Sequence, residues 1–387
     1  VGVDSVLLNT DRGSVTNENG GEIRIHERGN VTNAGTPSSE DGVVDGLHRG
    51  ERYSLEAGIL NYGVVENHGT LTNHGTFVSG ATFSNFNAFR VHNPRGLFLS
   101  ADSDAESTNH PGSSIHSSGR IQCASGRISN NNGEILISEG EDIPSLKSRF
   151  RLFDACNFFN TNRSSLTVAR GAALELIAQG ARFENRDESS IVLEGDVDSH
   201  TAFENRDLGA VVCLGEFRNH ADGGELVGSD QSSFELGPGS RLENSGFVRM
   251  SGSARLVNRP KARFVNNEVF ELETPEASFV NSGVLENGVT AAVVVRGVLS
   301  NLREGAFRTE GMVEVSEDGS VNNAGEVTVD GGSARLELGT QSPLLPAFSN
   351  LGSLVVSAGA VDVGVDSVLL NTDRGSVTNE NGGEIRI

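Results

Sequence analysis

The chain has 387 residues, a formal net charge of −22, and 48 Gly against 9 Pro, 2 Tyr and no Trp. No apolar run approaches the ~20 residues of a membrane-spanning helix, and no basic stripe offers a footprint for nucleic acid. Bulk comes instead from 19 Phe and from aliphatics in short runs between Gly and Asn clusters, which predicts many short strands.

The chain opens on Val1-Gly-Val-Asp-Ser-Val-Leu-Leu-Asn-Thr-Asp-Arg-Gly-Ser-Val-Thr-Asn-Glu-Asn-Gly-Gly-Glu-Ile-Arg-Ile25, and Val363–Ile387 repeats it residue for residue. An ordinary enzyme has no use for the same segment at both ends. The copy, together with a first residue that is not Met, predicts a window onto a longer tandem array. In that reading 1–387 is a single solenoid, 1–362 is one period, and 363–387 starts the next.

Thr36 to Arg52, rich in Gly, Ser and acid, reads as a loop. Then Asn61-Tyr-Gly63, Asn67-His-Gly69 and Asn73-His-Gly75 follow one another at a step of six. Ser100 to Ser118 again reads as a loop, and Glu139 to Arg151 as a short helix or an excursion. Cys123, Cys156 and Cys213 match neither a disulfide framework nor a zinc pattern, so they are expected as buried small hydrophobes. Ile121-Gln122-Cys123 and Val211-Val212-Cys213-Leu214 place sulfur on the inward phase of an alternating strand.

From residue 181 a second, degenerate repeat takes over. Ala181-Arg-Phe-Glu-Asn-Arg-Asp187 returns as Thr201-Ala-Phe-Glu-Asn-Arg-Asp207, Ser240-Arg-Leu-Glu-Asn-Ser-Gly246, Ala262-Arg-Phe-Val-Asn-Asn-Glu268 and Ala277-Ser-Phe-Val-Asn-Ser-Gly283. Gly297-Val-Leu-Ser-Asn-Leu-Arg303 and Pro346-Ala-Phe-Ser-Asn-Leu-Gly352 continue it. A period of roughly 20 residues marks a solenoid whose coils bury their apolar side on one another. In Phe203-Glu204-Asn205 the Phe should fill the axis and the Glu meet solvent. The Asn should sit at the bend, where it tolerates a left-handed backbone beside a Gly that needs no Cβ. Asn side chains at equivalent corners should also bond along the stack, as amide ladders do. An antiparallel sandwich would instead show Asn-Gly hairpins, and the recurrent element here is Asn-x-Gly. The expected fold is therefore all-β, a right-handed parallel β-helix continuous across repeat units. About 18 coils per period at ~4.8 Å each give about 85 Å.

Gly58-Ile-Leu-Asn-Tyr-Gly-Val-Val-Glu-Asn-His-Gly-Thr-Leu-Thr-Asn-His-Gly-Thr-Phe77 resembles the repeats of filamentous-haemagglutinin-type adhesins and related bacterial surface proteins. That resemblance implies a parallel β-helix exported to the cell surface, and it covers most of the chain in patches. The longer period and the coils rich in Phe and Glu depart from those repeats.

β-Helices also carry polysaccharide lyases and hydrolases, which need paired carboxylates or a cationic cluster on one face. The nearest matches are Arg259-Pro-Lys-Ala-Arg263, and Asp102/Asp104 with His110 and His116; each reads more simply as solvated surface. Asp222-Gly-Gly224, Asp330-Gly-Gly332 and Gly195-Asp-Val-Asp198 are only fragments of a calcium β-roll pattern. Asn30-Val-Thr32 and Asn162-Arg-Ser164 satisfy the glycosylation sequon by composition. Regular Thr-x-Thr rows, as ice binding would need, are missing. No catalytic, cofactor or metal residue is assigned. The expected function is structural and non-enzymatic: an extracellular or cell-surface fibre of tandem β-solenoid periods, docked end to end on adjacent copies. An adhesin stalk meeting a cell surface or glycan, and a β-helical polysaccharide enzyme, stand as alternatives.

Overall fold

A computed structural model describes residues 6–11, 15–17, 22–25, 30–35, 59–61, 64–73, 76–91, 97–100, 103–139, 148–153, 156–177, 181–220, 224–339, 346–365, 367–372 and 374–387. The described residues contain strands and turns and no helix. Each coil consists of three short strands, one in each of three parallel sheets. Thr70–Asn73 lies in the first sheet, Thr76–Ser79 in the second and Thr82–Asn85 in the third. Ala88–Val91 then returns to the first sheet and pairs in parallel with Thr70–Asn73, Phe89 opposite Leu71. The chain forms two compact units, Val1–Thr201 and Ala202–Ile387, each built in this way.

The four-residue strand is the natural side of such a coil. Its second and fourth residues point inward and its first and third outward, as the strand period of two requires. Arg241-Leu-Glu-Asn244 shows the pattern: Leu242 and Asn244 are buried, while Arg241 and Glu243 are half-exposed. Phe, Leu, Ile and Val fill the second position, so rings from different sheets meet on the axis. In the first unit Phe77, Phe83, Phe89 and Phe98 pack at centroid distances of 5.1–6.0 Å, mostly edge to face. Phe183 and Phe203 are both fully buried, as the motif demanded.

Several expectations need correction. Ser100–Ser118 is not one loop: it contributes the strands Glu106–Asn109 and Ser114–Ser117. Their inward positions are Ser107, Asn109, Ile115 and Ser117, so the alternation is buried against exposed without being apolar against polar. Arg149–Leu152 is likewise a strand within the segment read as a helix or excursion. Residues 140–147 and the loop read at Thr36 to Arg52 lie outside the described residues. The step of six is the length of one coil side, since Asn61, Asn67 and Asn73 end consecutive strands in three different sheets. Among the described residues Val363–Ile387 forms its strands forty-five strands after Val1–Ile25 forms the same three, so the period counts fifteen described coils against about 18 expected.

Cys123 and Cys156 were expected as separate buried thiols, and they form a disulfide with Cα atoms 5.8 Å apart. Both are fully buried, so the inward phase read for Cys123 stands. The bridge crosses between coils at residues 33 apart, a pairing visible only once the coils are stacked. Cys213 is the buried free thiol expected of it. Glu184 does not meet solvent. It is 3% exposed, covered by Arg182 and Arg186, which ion-pair with it at 3.0 and 3.3 Å. Glu204 keeps its half-exposed place. On the second sheet of the first unit, Val78, Leu99 and Gln122 hold outward positions yet are 1–2% exposed, so that stretch of outer face is shielded from water.

Candidate functional site

The fourth position of the strand carries the most regular chemistry. In the first unit Asn67, Asn85, Asn109, Asn130, Asn160 and Asn185 form a continuous ladder. Each Nδ2 donates to the Oδ1 of the next at 2.7–2.8 Å. In the second unit Asn258, Asn281, Asn301, Asn323, Asn350 and Asn371 form another, with the same bond at 2.7–2.8 Å. Most rungs also donate to a backbone carbonyl of the neighbouring coil, as Asn281 does to Ala306 O at 3.1 Å. The amide suits this place because it offers both donors and acceptors to backbone and neighbours at a buried corner.

The left-handed conformation anticipated for these Asn is not used. The positive-φ residues include Asn132 and Asn162 in turns but none of the ladder. The Gly of Asn-x-Gly is required for a different reason as well. A Cβ on Gly283 would lie 2.3 Å from Ala262 O, and one on Gly325 would lie 2.2 Å from Gly305 O. The corner packs against the carbonyl of the adjacent coil, and only Gly leaves room.

The repeated segment sits within this frame. Leu369–Asn371, Ser376–Glu380 and Glu384–Arg386 pair in parallel with Phe348–Asn350, Ser353–Ser357 and Ala360–Val363. Leu369, Val377 and Ile385 fall opposite Phe348, Leu354 and Val361, the inward positions of the coil beneath. Asn350 Nδ2 donates to Asn371 Oδ1 at 2.8 Å and to Ser376 O at 2.9 Å. Val363–Ile387 thus stacks on the preceding coil in the same parallel register as the coils before it. The other copy shows the opposite edge of the same coil. Val6–Asp11, Val15–Asn17 and Glu22–Ile25 are paired by Asn30–Gly35, Ile59–Asn61 and Val64–Asn67, with Leu7 opposite Val31, Val15 opposite Ile59, and Ile23 opposite Val65.

The residues singled out for chemistry do not assemble. Arg259 makes two 2.9 Å bonds to Glu235, Arg263 pairs with Glu286, and Lys261 stands in a turn at φ 70°, so the basic spot is tied into coil-to-coil ion pairs. The Arg259 guanidinium holds the Glu235 carboxyl below its ordinary value. His110 stacks on Phe86 at 4.0 Å, Phe86 stacks on His68 at 4.4 Å, and His116 meets Ser138 Oγ at 2.9 Å. Burial lowers the His110 pKa, with Glu66 acting in the opposite direction. Asp104 is an exposed turn residue. Asp102 and Asp222 lie outside the described residues, as does the side chain of Asn30. Asn162 is exposed and bonds to Asn131 Oδ1 at 2.7 Å. Among the described residues no group of three or more His, Cys, Asp or Glu is placed to hold a metal ion.

Sequence reasoning missed an arginine cluster on the outer face of the second sheet in the first unit. Arg120 lies in register with Arg149, and Gln122 with Arg151. Glu175 of the next strand takes both Arg149, at 3.3 Å, and Arg151, at 2.6 Å. The three arginines are 29 and 2 residues apart in sequence, so only the coil register could have found them.

A family model described as the BigA fourth domain matches residues 228–387, less than half of the chain. Among solved structures, a TibA fragment whose hyper-glycosylation is catalysed by TibC aligns over 99% of this chain and 100% of its own, at 10% identity and a TM-score of 0.28. No curated protein sequence matches.

Proposed function

We propose that this chain is a structural repeat of a bacterial cell-surface protein, a β-solenoid whose periods continue into one another through the duplicated coil. The observation that carries the reading is the coil seen in two settings. Val363–Ile387 accepts one set of neighbours on one edge, and the identical Val1–Ile25 accepts another set on the opposite edge. Superposing the copies yields unbroken register columns, Phe348–Leu369/Leu7–Val31, Leu354–Val377/Val15–Ile59 and Val361–Ile385/Ile23–Val65. Every column carries an apolar residue at each paired position. Edge strands left unpaired template further pairing, and here the complementary coil is encoded in the same chain.

Two further observations support it. The BigA-domain match runs through the junction between Asp362 and Val363 without stopping there. The Cys123–Cys156 disulfide suits an oxidising compartment outside the cytoplasm. The role is passive and non-enzymatic, with adjacent copies as the partner.

The test is a protein of two consecutive periods, 1–362 followed by 1–387, studied by hydrogen exchange. The amides of the internal 363–387 coil should be protected as strongly as those of coils around Leu285, and its half-buried Leu369, Val377 and Ile385 should become fully buried. Fast exchange confined to that coil would show that periods end there and sink the reading.

A further inference from the structure

We infer that Arg120, Arg149 and Arg151 form a binding site for an acidic polysaccharide, one bearing carboxylates or sulfates, on the outer face of the second sheet. The starting point is charge. This chain carries −22, and its half-buried arginines are otherwise neutralised. Among the described residues, Arg182, Arg186, Arg206, Arg218, Arg241 and Arg249 each have a carboxylate within 4.0 Å. Among the described residues Arg149 and Arg151 share one, that of Glu175, and Arg120 has none. Its Nε is buried with no hydrogen-bond partner, as are those of Arg182, Arg186, Arg206, Arg241 and Arg249; those five, unlike Arg120, have a carboxylate within 4.0 Å. Burial, then the nearby Arg151 and Arg149 cations, pull the Arg120 pKa below its ordinary value. An unneutralised, partly desolvated guanidinium is a cost that folding alone does not explain, and a bound oxyanion would remove it.

The surroundings select the ligand. Gln122, beside Arg151, is 2% exposed, and Leu99 on the preceding strand is 1% exposed, so the cluster borders a dry, low-dielectric stretch of sheet. Arg149 keeps 35% of its side chain in solvent and opens the site. Arg120 and Arg149 are register partners on neighbouring strands, ~4.8 Å apart along the stack. That step is about the length of one sugar residue, whereas same-side residues of an extended peptide recur at about 6.6 Å.

The test is calorimetric titration of the whole chain at low and moderate salt with four probes: an oligogalacturonate, a sulfated dextran oligomer, a neutral dextran oligomer and oligoglutamate. Sodium sulfate and sodium acetate serve as free oxyanions. The acidic saccharides should bind and the neutral one should not. Arg120→Gln and Arg149→Gln should each weaken binding by about tenfold, equivalent to ~1.4 kcal/mol. Arg308→Gln, an exposed arginine in the other unit, should leave it unchanged. Unfolding midpoints of the free variants keep misfolding distinct from lost binding, and loss of binding with an unchanged midpoint supports the site. Equal weakening by Arg308→Gln would show nonspecific charge attraction. Oligoglutamate binding as tightly as the saccharides, saturation by free sulfate or acetate alone, or no binding to any probe would each overturn the proposal.

Discussion

Replacing Asn281 with Ala removes one rung from the middle of a ladder, and its cost can be worked bond by bond. Asn281 Oδ1 accepts from Asn258 at 2.7 Å, and its Nδ2 donates to Asn301 Oδ1 at 2.8 Å and to Ala306 O at 3.1 Å. Three hydrogen bonds at about 1 kcal/mol net each set the scale. Asn258 keeps its bond to Val284 O, but the Asn301 amide oxygen loses its donor in a fully buried place. A stranded buried acceptor adds about 1–3 kcal/mol, so the expected loss is about 4–6 kcal/mol. Coils contact only their neighbours, so the loss should appear first as faster hydrogen exchange in the strands around Asn258, Asn281 and Asn301. The assay is urea unfolding with residue-resolved exchange, against Asn267→Ala as a half-exposed control that should stay within about 0.5 kcal/mol. A loss below about 1 kcal/mol, or one equal to that of the control, would refute the ladder as a source of stability.

Ser107→Val should stabilise the first unit by about 1 kcal/mol, read as a higher urea midpoint. Ser107 stands between Phe83 and Ile128 in the inward column, its Oγ has no partner, and it lines an apolar void of about 10 Å³. A lowered midpoint would mean the void is needed. The Cys123→Ser/Cys156→Ser double variant should lose about 3–4 kcal/mol for the 33-residue separation its bridge closes. In the native wild type, Cys213 should resist alkylation at pH 8, because burial pushes its thiol up to about 12; it should react only on unfolding. The Glu235–Arg259 pair should give a small pH-dependent difference between wild type and Arg259→Gln. Arg259 lowers the folded-state pKa of Glu235, so the pair stabilises above the unfolded carboxylate pKa. The difference should vanish as pH falls through the folded value, and a difference that grows in acid would reverse the sign.

The sequence alone determined the coil. Apolar residues at the second strand position and Asn at the fourth, recurring through Phe203-Glu204-Asn205 and its relatives, encode both the inward phase and the parallel stack. Local alternation and once-per-coil recurrence are properties of the chain itself. Where the inward residues are polar, as at Ser107 and Ser117, the same signal is silent, and strands there have the composition of a loop. Tertiary structure decided whatever depends on which coil lies on which. The 33-residue gap between Cys123 and Cys156 carries no local signature, and its closure depends on coils of unequal length meeting at one corner. The same register brings Arg120 to Arg149 and leaves it without a carboxylate, while it buries Glu184 between two arginines. Each outcome is set by neighbours about one coil away, and because coil lengths vary, sequence spacing does not specify those neighbours until the strands are paired.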